Sequence, residues 1–249
     1  NYDYINEVVA KGNDVWIAGD EGLEVLSGGS ISAVSGVPGS SKALSISNDG
    51  TVIVAAGTSN KTYVSTDGGS SFTEVSGSGA GEVAPNAGRI EYAISHEKVD
   101  GKYYVYASVA NSNLVGIFKS IDNGLTWTEI APSSSSAPGS FSPFNSGGSG
   151  QGTYDNIISV VKGDPETCLL GGINIFGKSA TGNWEQRSNG FFDQMSPLYV
   201  HSDQHEMQWD SQGRLWVGND GGVFFSDDQG NSFHEADRNY NVTQFYKIG

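Results

Sequence analysis

The sequence predicts an all-β fold built from about five copies of one four-stranded unit, and three observations predict it. There are 35 glycines among 249 residues, with abundant serine, which suits short strands joined by tight turns better than helices. Runs rich in β-branched and aromatic residues recur, among them Thr51-Val-Ile-Val-Ala-Ala56, Tyr103-Tyr-Val-Tyr-Ala107 and Arg214-Leu-Trp-Val217. One pattern, Ser-x-Asp-x-Gly-x-x-aromatic, appears three times: Ser65 to Phe72 with Asp67 and Gly69, Ser120 to Trp127 with Asp122 and Gly124, and Ser226 to Phe233 with Asp228 and Gly230.

The copies start at 65, 120 and 226, and the second gap is close to twice the first, so a fourth copy is expected between them. Ser179-Ala-Thr-Gly182-Asn-Trp184 is a worn version that has lost the aspartate. A fifth unit opens the chain, because Val15-Trp16-Ile-Ala-Gly-Asp20-Glu-Gly22 mirrors Leu215-Trp216-Val-Gly-Asn-Asp220-Gly-Gly222, with a degenerate turn at Ser27-Gly-Gly29. About 50 residues per four-stranded unit is the size of a propeller blade. The blades are expected over 1–37, 38–80, 88–131, 153–190 and 198–237, with 241–249 as the first strand of a further blade. Since the first unit reads as complete, that strand is one too many for a five-bladed ring, and the chain is expected to be part of a larger propeller.

Within the repeat, the aspartate can accept from turn N–H groups, the glycine can take a positive φ, and the aromatic can cover the hairpin base. These residues resemble the Asp-box, or bacterial neuraminidase repeat, of sialidases and several other propeller families. The resemblance implies that the twelve defining residues, Ser65, Asp67, Gly69, Phe72, Ser120, Asp122, Gly124, Trp127, Ser226, Asp228, Gly230 and Phe233, staple the outer part of a blade and are structural. Residues 132–152 break the rhythm with a Ser/Gly/Pro-rich stretch, expected as a long loop. It reads either as a flexible insertion or, given Phe141 and Phe144, as a lid or contact loop.

Thirteen Lys and Arg against 28 Asp and Glu give a formal charge of −15, which repels nucleic-acid phosphates and anionic membrane surfaces. Neither a nucleic-acid partner nor direct membrane insertion is expected, and no apolar run approaches the roughly 20 residues of a membrane helix. Cys168 is the only cysteine, so no intrachain disulfide or paired-cysteine zinc site is available. The carboxylates suit calcium in principle, but no EF-hand loop is present, so no cofactor or metal is expected. An acidic, soluble surface and the absence of an initiator Met fit a processed, extracellular or cell-surface protein.

Two places hold candidate chemistry. His201, Asp203 and His205 stand at i, i+2 and i+4 and on a strand would share one face, as a metal site or as a hydrogen-bonded network. Asp220 and Asp20 occupy equivalent glycine-flanked turns, whereas the other three repeats carry no aspartate there, so they are candidates for an acid and base pair. Trp16 and Trp216, like Tyr104 and Tyr106, offer stacking faces for sugar rings or packing between blades. The run from His201 through Asp220 to Gln244-Phe-Tyr246 resembles sortilin-like and glycosyl-hydrolase-like propellers related to the tandem-propeller xyloglucanases. In those enzymes a Thr-Asp-x-Gly-Gly motif carries the catalytic aspartates; Asp220 matches it with asparagine for threonine and one residue fewer before the glycines, and Asp20 matches less closely. Sialidase chemistry fits poorly, because only Arg89, Arg187, Arg214 and Arg238 are present for an arginine triad. The expectation is a non-catalytic binding or scaffolding propeller for a glycan or protein partner; the alternative is a glycoside hydrolase of a neutral β-glucan-like polysaccharide.

Overall fold

A computed structural model describes residues 4–77, 79–84, 87–132, 141–145 and 147–236. The strand expected over 241–249, with Gln244 and Tyr246, and also Arg238, lie outside the described residues. Five four-stranded antiparallel sheets follow one another along the chain. Blade 1 comprises β1 (Ile5–Lys11), β2 (Asp14–Gly19), β3 (Gly22–Ser27) and β4 (Ser30–Ala33). Blade 2 comprises β5 (Leu44–Ile46), β6 (Ile53–Ala56), β7 (Thr62–Ser65) and β8 (Thr73–Glu74). Blade 3 runs through β9 (Arg89–Val99), β10 (Lys102–Ala110), β11 (Leu114–Ser120) and β12 (Thr128–Pro132). Blade 4 holds β13 (Ile157–Val160), β14 (Cys168–Gly171), β15 (Ile175–Lys178) and β16 (Glu185–Gln186). Blade 5 holds β17 (Gln204–Trp209), β18 (Leu215–Asn219), β19 (Gly222–Ser226) and β20 (His234–Glu235).

In each blade the strands pair in sequence order, and the first strands pack side by side: β1 on β5, β5 on β9, β9 on β13 and β13 on β17. The architecture is a β-propeller with these strands innermost. The second strands of blades 2, 3 and 4 are apolar on both faces because each face meets a different blade. Ile53 and Ala55 pack toward Trp16, Ala18 and Leu23 of blade 1, while Val54 and Ala56 pack toward Val105 and Val109 of blade 3. Leu170 likewise joins Tyr106 and Ile117 of blade 3, and Leu169 joins Leu215 and Val217 of blade 5.

Four apolar layers therefore join five blades, and among the described residues no fifth layer joins blade 5 back to blade 1. On the side of β1 away from blade 2, Ile5 and Val8 are 52% and 53% exposed, and Val223 on β19 is 41% exposed. The five blades form an open arc, a partial propeller.

The three repeated turns superimpose bond for bond. Ser65, Ser120 and Ser226 each donate through Oγ to the aspartate two residues on (2.7, 2.7 and 2.8 Å) and accept from the glycine N–H of Gly69, Gly124 or Gly230. Asp67, Asp122 and Asp228 then accept from both the N–H and the hydroxyl of Ser71, Thr126 and Ser232. The glycines also meet the preceding blade. A Cβ on Gly69, whose φ is +88°, would lie 2.4 Å from Trp16 Cη2, and those on Gly124 and Gly230 would touch Val64 and Leu169. The turn thus closes a hairpin and seats it on its neighbour.

The described parts of 132–152 are anchored, not loose. Phe144 is 1% exposed, and Phe141 stacks on Trp184 (4.7 Å) and meets Phe176 edge-on (5.3 Å). Pro143 accepts from Ile173 N–H, and Gly152 donates to the Ser112 carbonyl. The two aromatic side chains that mark this stretch in the sequence are core residues between blades 3 and 4.

Candidate functional site on the upper face

The inner strands begin, and the turns between second and third strands lie, on one face of the arc. Asp20 and Asp220 occupy equivalent turns there: Asp20 N–H donates to the Tyr4 carbonyl and Asp220 N–H to that of Asp203. Blades 2 to 4 stand between them in chain order; Asp20 is exposed, whereas the Asp220 side chain is 17% exposed.

Asp220 is the hub of a polar row. His205 Nε2 donates to its Oδ1 at 2.6 Å, and the Tyr154 hydroxyl lies 2.9 and 3.0 Å from its two oxygens. The Tyr154 and His205 rings meet edge-to-face at 4.8 Å, so the aromatic frame holds both donors on the carboxylate. Beside it, the Gln151 amide donates to Asp203 Oδ1 at 2.5 Å and to Asp155 Oδ2 at 2.9 Å, one hydrogen to each carboxylate. Arg89, at the start of β9, donates to the Tyr154 carbonyl (2.6 Å) and to Glu91 (2.7 Å), fixing the segment that carries Tyr154.

His201, Asp203 and His205 do not share a strand face. β17 starts only at Gln204, and Asp203 has a φ of +67°, a left-handed conformation that breaks the two-residue alternation before it begins. The turn gathers them instead: His201 lies against Gly221, and both histidine rings are near enough to Asp203 to favour its charged form. Burial is the largest influence on the Asp203 carboxyl and raises its pKa, and the negative charge of Asp220 raises it further. Among the described residues no group of three His, Cys, Asp or Glu side chains is arranged to hold a metal ion.

Asp155 is wholly buried. Its Oδ2 accepts from Gln151, its Oδ1 has no hydrogen-bond partner, and burial pushes its carboxyl up to about 7. Below the row, residues of the five inner strands line a cavity of about 220 Å³, Glu7, Glu91 and Glu206 among them. Burial and the Glu91 charge push Glu7 up to about 8, although its Oε2 accepts from Leu44 N–H; burial pushes Glu91 up to about 7 against the opposing Arg89 guanidinium.

The two tryptophans have different places. Trp16 is buried between blades 1 and 2, as Tyr106 is between blades 3 and 4. Trp216 lies on the side of blade 5 away from blade 4, donates to Asp210, and is covered by the Arg214 guanidinium and Phe225; it stands apart from the polar row. Sequence reasoning passed over Gln151, Tyr154 and Asp155, and weighed Arg89 only for an arginine triad. The signal was the polar run Tyr154-Asp-Asn156 immediately before the apolar strand Ile157–Val160, which has no role in strand formation.

No protein-family model matches this sequence, and no curated protein sequence matches it. Solved structures do. An ancestral GH74 enzyme superimposes with a TM-score of 0.63 at 14% identity, over 95% of this chain and 31% of that one. The extracellular domain of a putative one-component system from Bacteroides thetaiotaomicron gives 0.60 at 14% identity, over 95% and 28%. An auxiliary nutrient binding protein from the same organism gives 0.56 at 9% identity, over 94% and 57%. The chain spans about a third of the length of the first two, and identities this low carry the architecture alone. What the structure and these likenesses establish together is an all-β propeller arc of five four-stranded blades.

Proposed function

We propose that this chain is an exported or cell-surface propeller that binds a neutral glycan on its upper face without cleaving it. The observation that carries the reading is the row of Tyr154, Asp220, His205 and Asp203, where carboxylate acceptors stand beside hydroxyl and imidazole donors. Sugar hydroxyls both donate and accept, and a preformed row of this kind exchanges its water for them at little ordering cost. A net charge of −15 disfavours anionic sugars. The neighbours accord with a glycan and an extracellular setting, since one is a GH74 enzyme, one a nutrient binding protein and one an extracellular domain.

Glycoside hydrolysis is the second reading. It is favoured by one observation, a carboxyl pushed up to about 7 at Asp155, which shares the Gln151 amide with Asp203 and could serve as a general acid. It ranks second because Asp155 is wholly buried. Calorimetric titration with neutral β-glucan oligosaccharides, together with assay for released reducing sugar, tests both. The binding reading expects affinity that falls at least tenfold in Asp203→Asn, with no sugar release. Release abolished by Asp220→Asn would replace it with hydrolysis, and no binding to any glycan in the panel would refute it.

A further inference from the structure

Asp155 is the one side chain of this face whose arrangement the glycan reading leaves unexplained. It is fully buried, one of its oxygens is bonded only to the Gln151 amide, and the other has no partner. Leaving a buried ionised oxygen without a donor is costly, whereas a neutral carboxyl in the same place is tolerated. The charges around it point the same way. Asp203 faces it across Gln151 with Asp220 beyond, the imidazoles of His201 and His205 lie next to Asp203, and on β9 the Arg89 guanidinium is already engaged by Glu91 and the Tyr154 carbonyl. The Arg89 guanidinium favours ionisation of Asp155, but it is shared with Glu91 and the Tyr154 carbonyl, so a third carboxylate charge here is met only in part.

We propose that Asp155 is a positioning residue that works through its proton: neutral, it lets Gln151 divide its two amide hydrogens between Asp155 and Asp203, and ionised, it draws Gln151 away and loosens Asp203. Asp203 sits in a left-handed turn (φ +67°), outside the regular pairing of β17, so its side chain is placed by few bonds. Its anchors are Gln151 at the side chain, its own N–H on the Ile173 carbonyl, and its carbonyl accepting from Asp220 N–H. Loss of the first leaves Asp203 and Asp220 to repel one another. The direction is consistent with a carboxyl held at about 7 by burial. The upper face is thus assembled in mildly acidic solution and relaxed in mildly alkaline solution, the proton passing from Asp155 to solvent.

The inference rests on the glycan reading only for its consequence, so its test needs no ligand. Carboxyl carbon resonances of the full chain, followed from pH 4 to 9, are expected to show Asp155 titrating near pH 7 and the Gln151 side-chain amide resonances moving with the same midpoint. In Asp155→Asn, which keeps the shape and cannot ionise, the Gln151 amide should stay at its low-pH position throughout. An Asp155 midpoint in the ordinary aspartate range near 4 overturns the proposal, using the unsubstituted protein alone. A Gln151 movement that persists in Asp155→Asn also overturns it, since His201 or His205 would then be its cause. Absence of glycan binding would refute the function proposed above and leave these resonances unchanged.

Discussion

Replacing Gly69 by alanine tests whether the repeated turn joins blades as well as closing hairpins. Two costs are separable. At φ +88° an L residue pays about 1–2 kcal/mol of left-handed strain. The new Cβ would also lie 2.4 Å from Trp16 Cη2 and 3.3 Å from Ile53 Cδ1, a contact that must be relieved by moving core side chains, at about 1–3 kcal/mol. Gly69→Ala should therefore destabilise by about 2–5 kcal/mol. Gly213→Ala supplies the control, because its φ is +82° but its Cβ would meet nothing within 4 Å, leaving only the strain of about 1–2 kcal/mol. Urea denaturation followed by tryptophan fluorescence gives both values. Trp16→Phe, combined with Gly69→Ala, removes the clashing ring edge, so the double variant should lose less than the sum of the two single losses. Equal losses for Gly69→Ala and Gly213→Ala, or strict additivity with Trp16→Phe, would refute the inter-blade role.

Stability should fall as pH rises from about 4 toward 8. Glu7, Glu91 and Asp155 have folded pKa values near 8, 7 and 7, above the ordinary carboxylate range, so the folded state binds more protons across that window. Asp67, Asp122 and Asp228 act oppositely: hydroxyl and N–H donors lower their pKa values, so their stabilisation is present above about 4 and lost on acidification. Urea midpoints measured from pH 3 to 9 should peak in mildly acidic solution, and a maximum above pH 8 would contradict the burial of these carboxyls. Phe144→Ala should cost about 3–5 kcal/mol in the same assay, because its ring is 1% exposed between blades 3 and 4. An effect under about 1 kcal/mol would show the segment to be a surface loop. Tyr154→Phe removes the hydroxyl that spans both oxygens of Asp220 and should leave the melting temperature nearly unchanged while weakening glycan affinity by about tenfold, the worth of one hydrogen bond to a charged group.

The blades were legible because they are local. The β-branched run from Thr51 to Ala56 and the donors packed into Ser65 to Phe72 act within a few residues of chain, and the same short-range physics repeats at Ser120 and Ser226. The four strands of the first repeat were legible too, whereas the further strand expected over 241–249 lies outside the described residues. The second role of the turn glycines Gly69, Gly124 and Gly230 was not legible, since their contacts with Trp16, Val64 and Leu169 are made across blades. Trp16 and Trp216 stand in matching strands, yet one is sealed by blade 2 and the other faces outward from the last blade of the arc; equivalence in a repeat says nothing about which faces have neighbours. For the site, the glycines around Asp220 and the tryptophan-bearing strand before it already place that aspartate in a turn. Its company is a matter of blade packing. Gln151, Tyr154 and Asp155 come to it from the segment before β13, and the left-handed turn at Asp203 cancels the strand spacing that seemed to align the histidines, because hydrogen bonds between blades, and not sequence neighbours, fix those side chains.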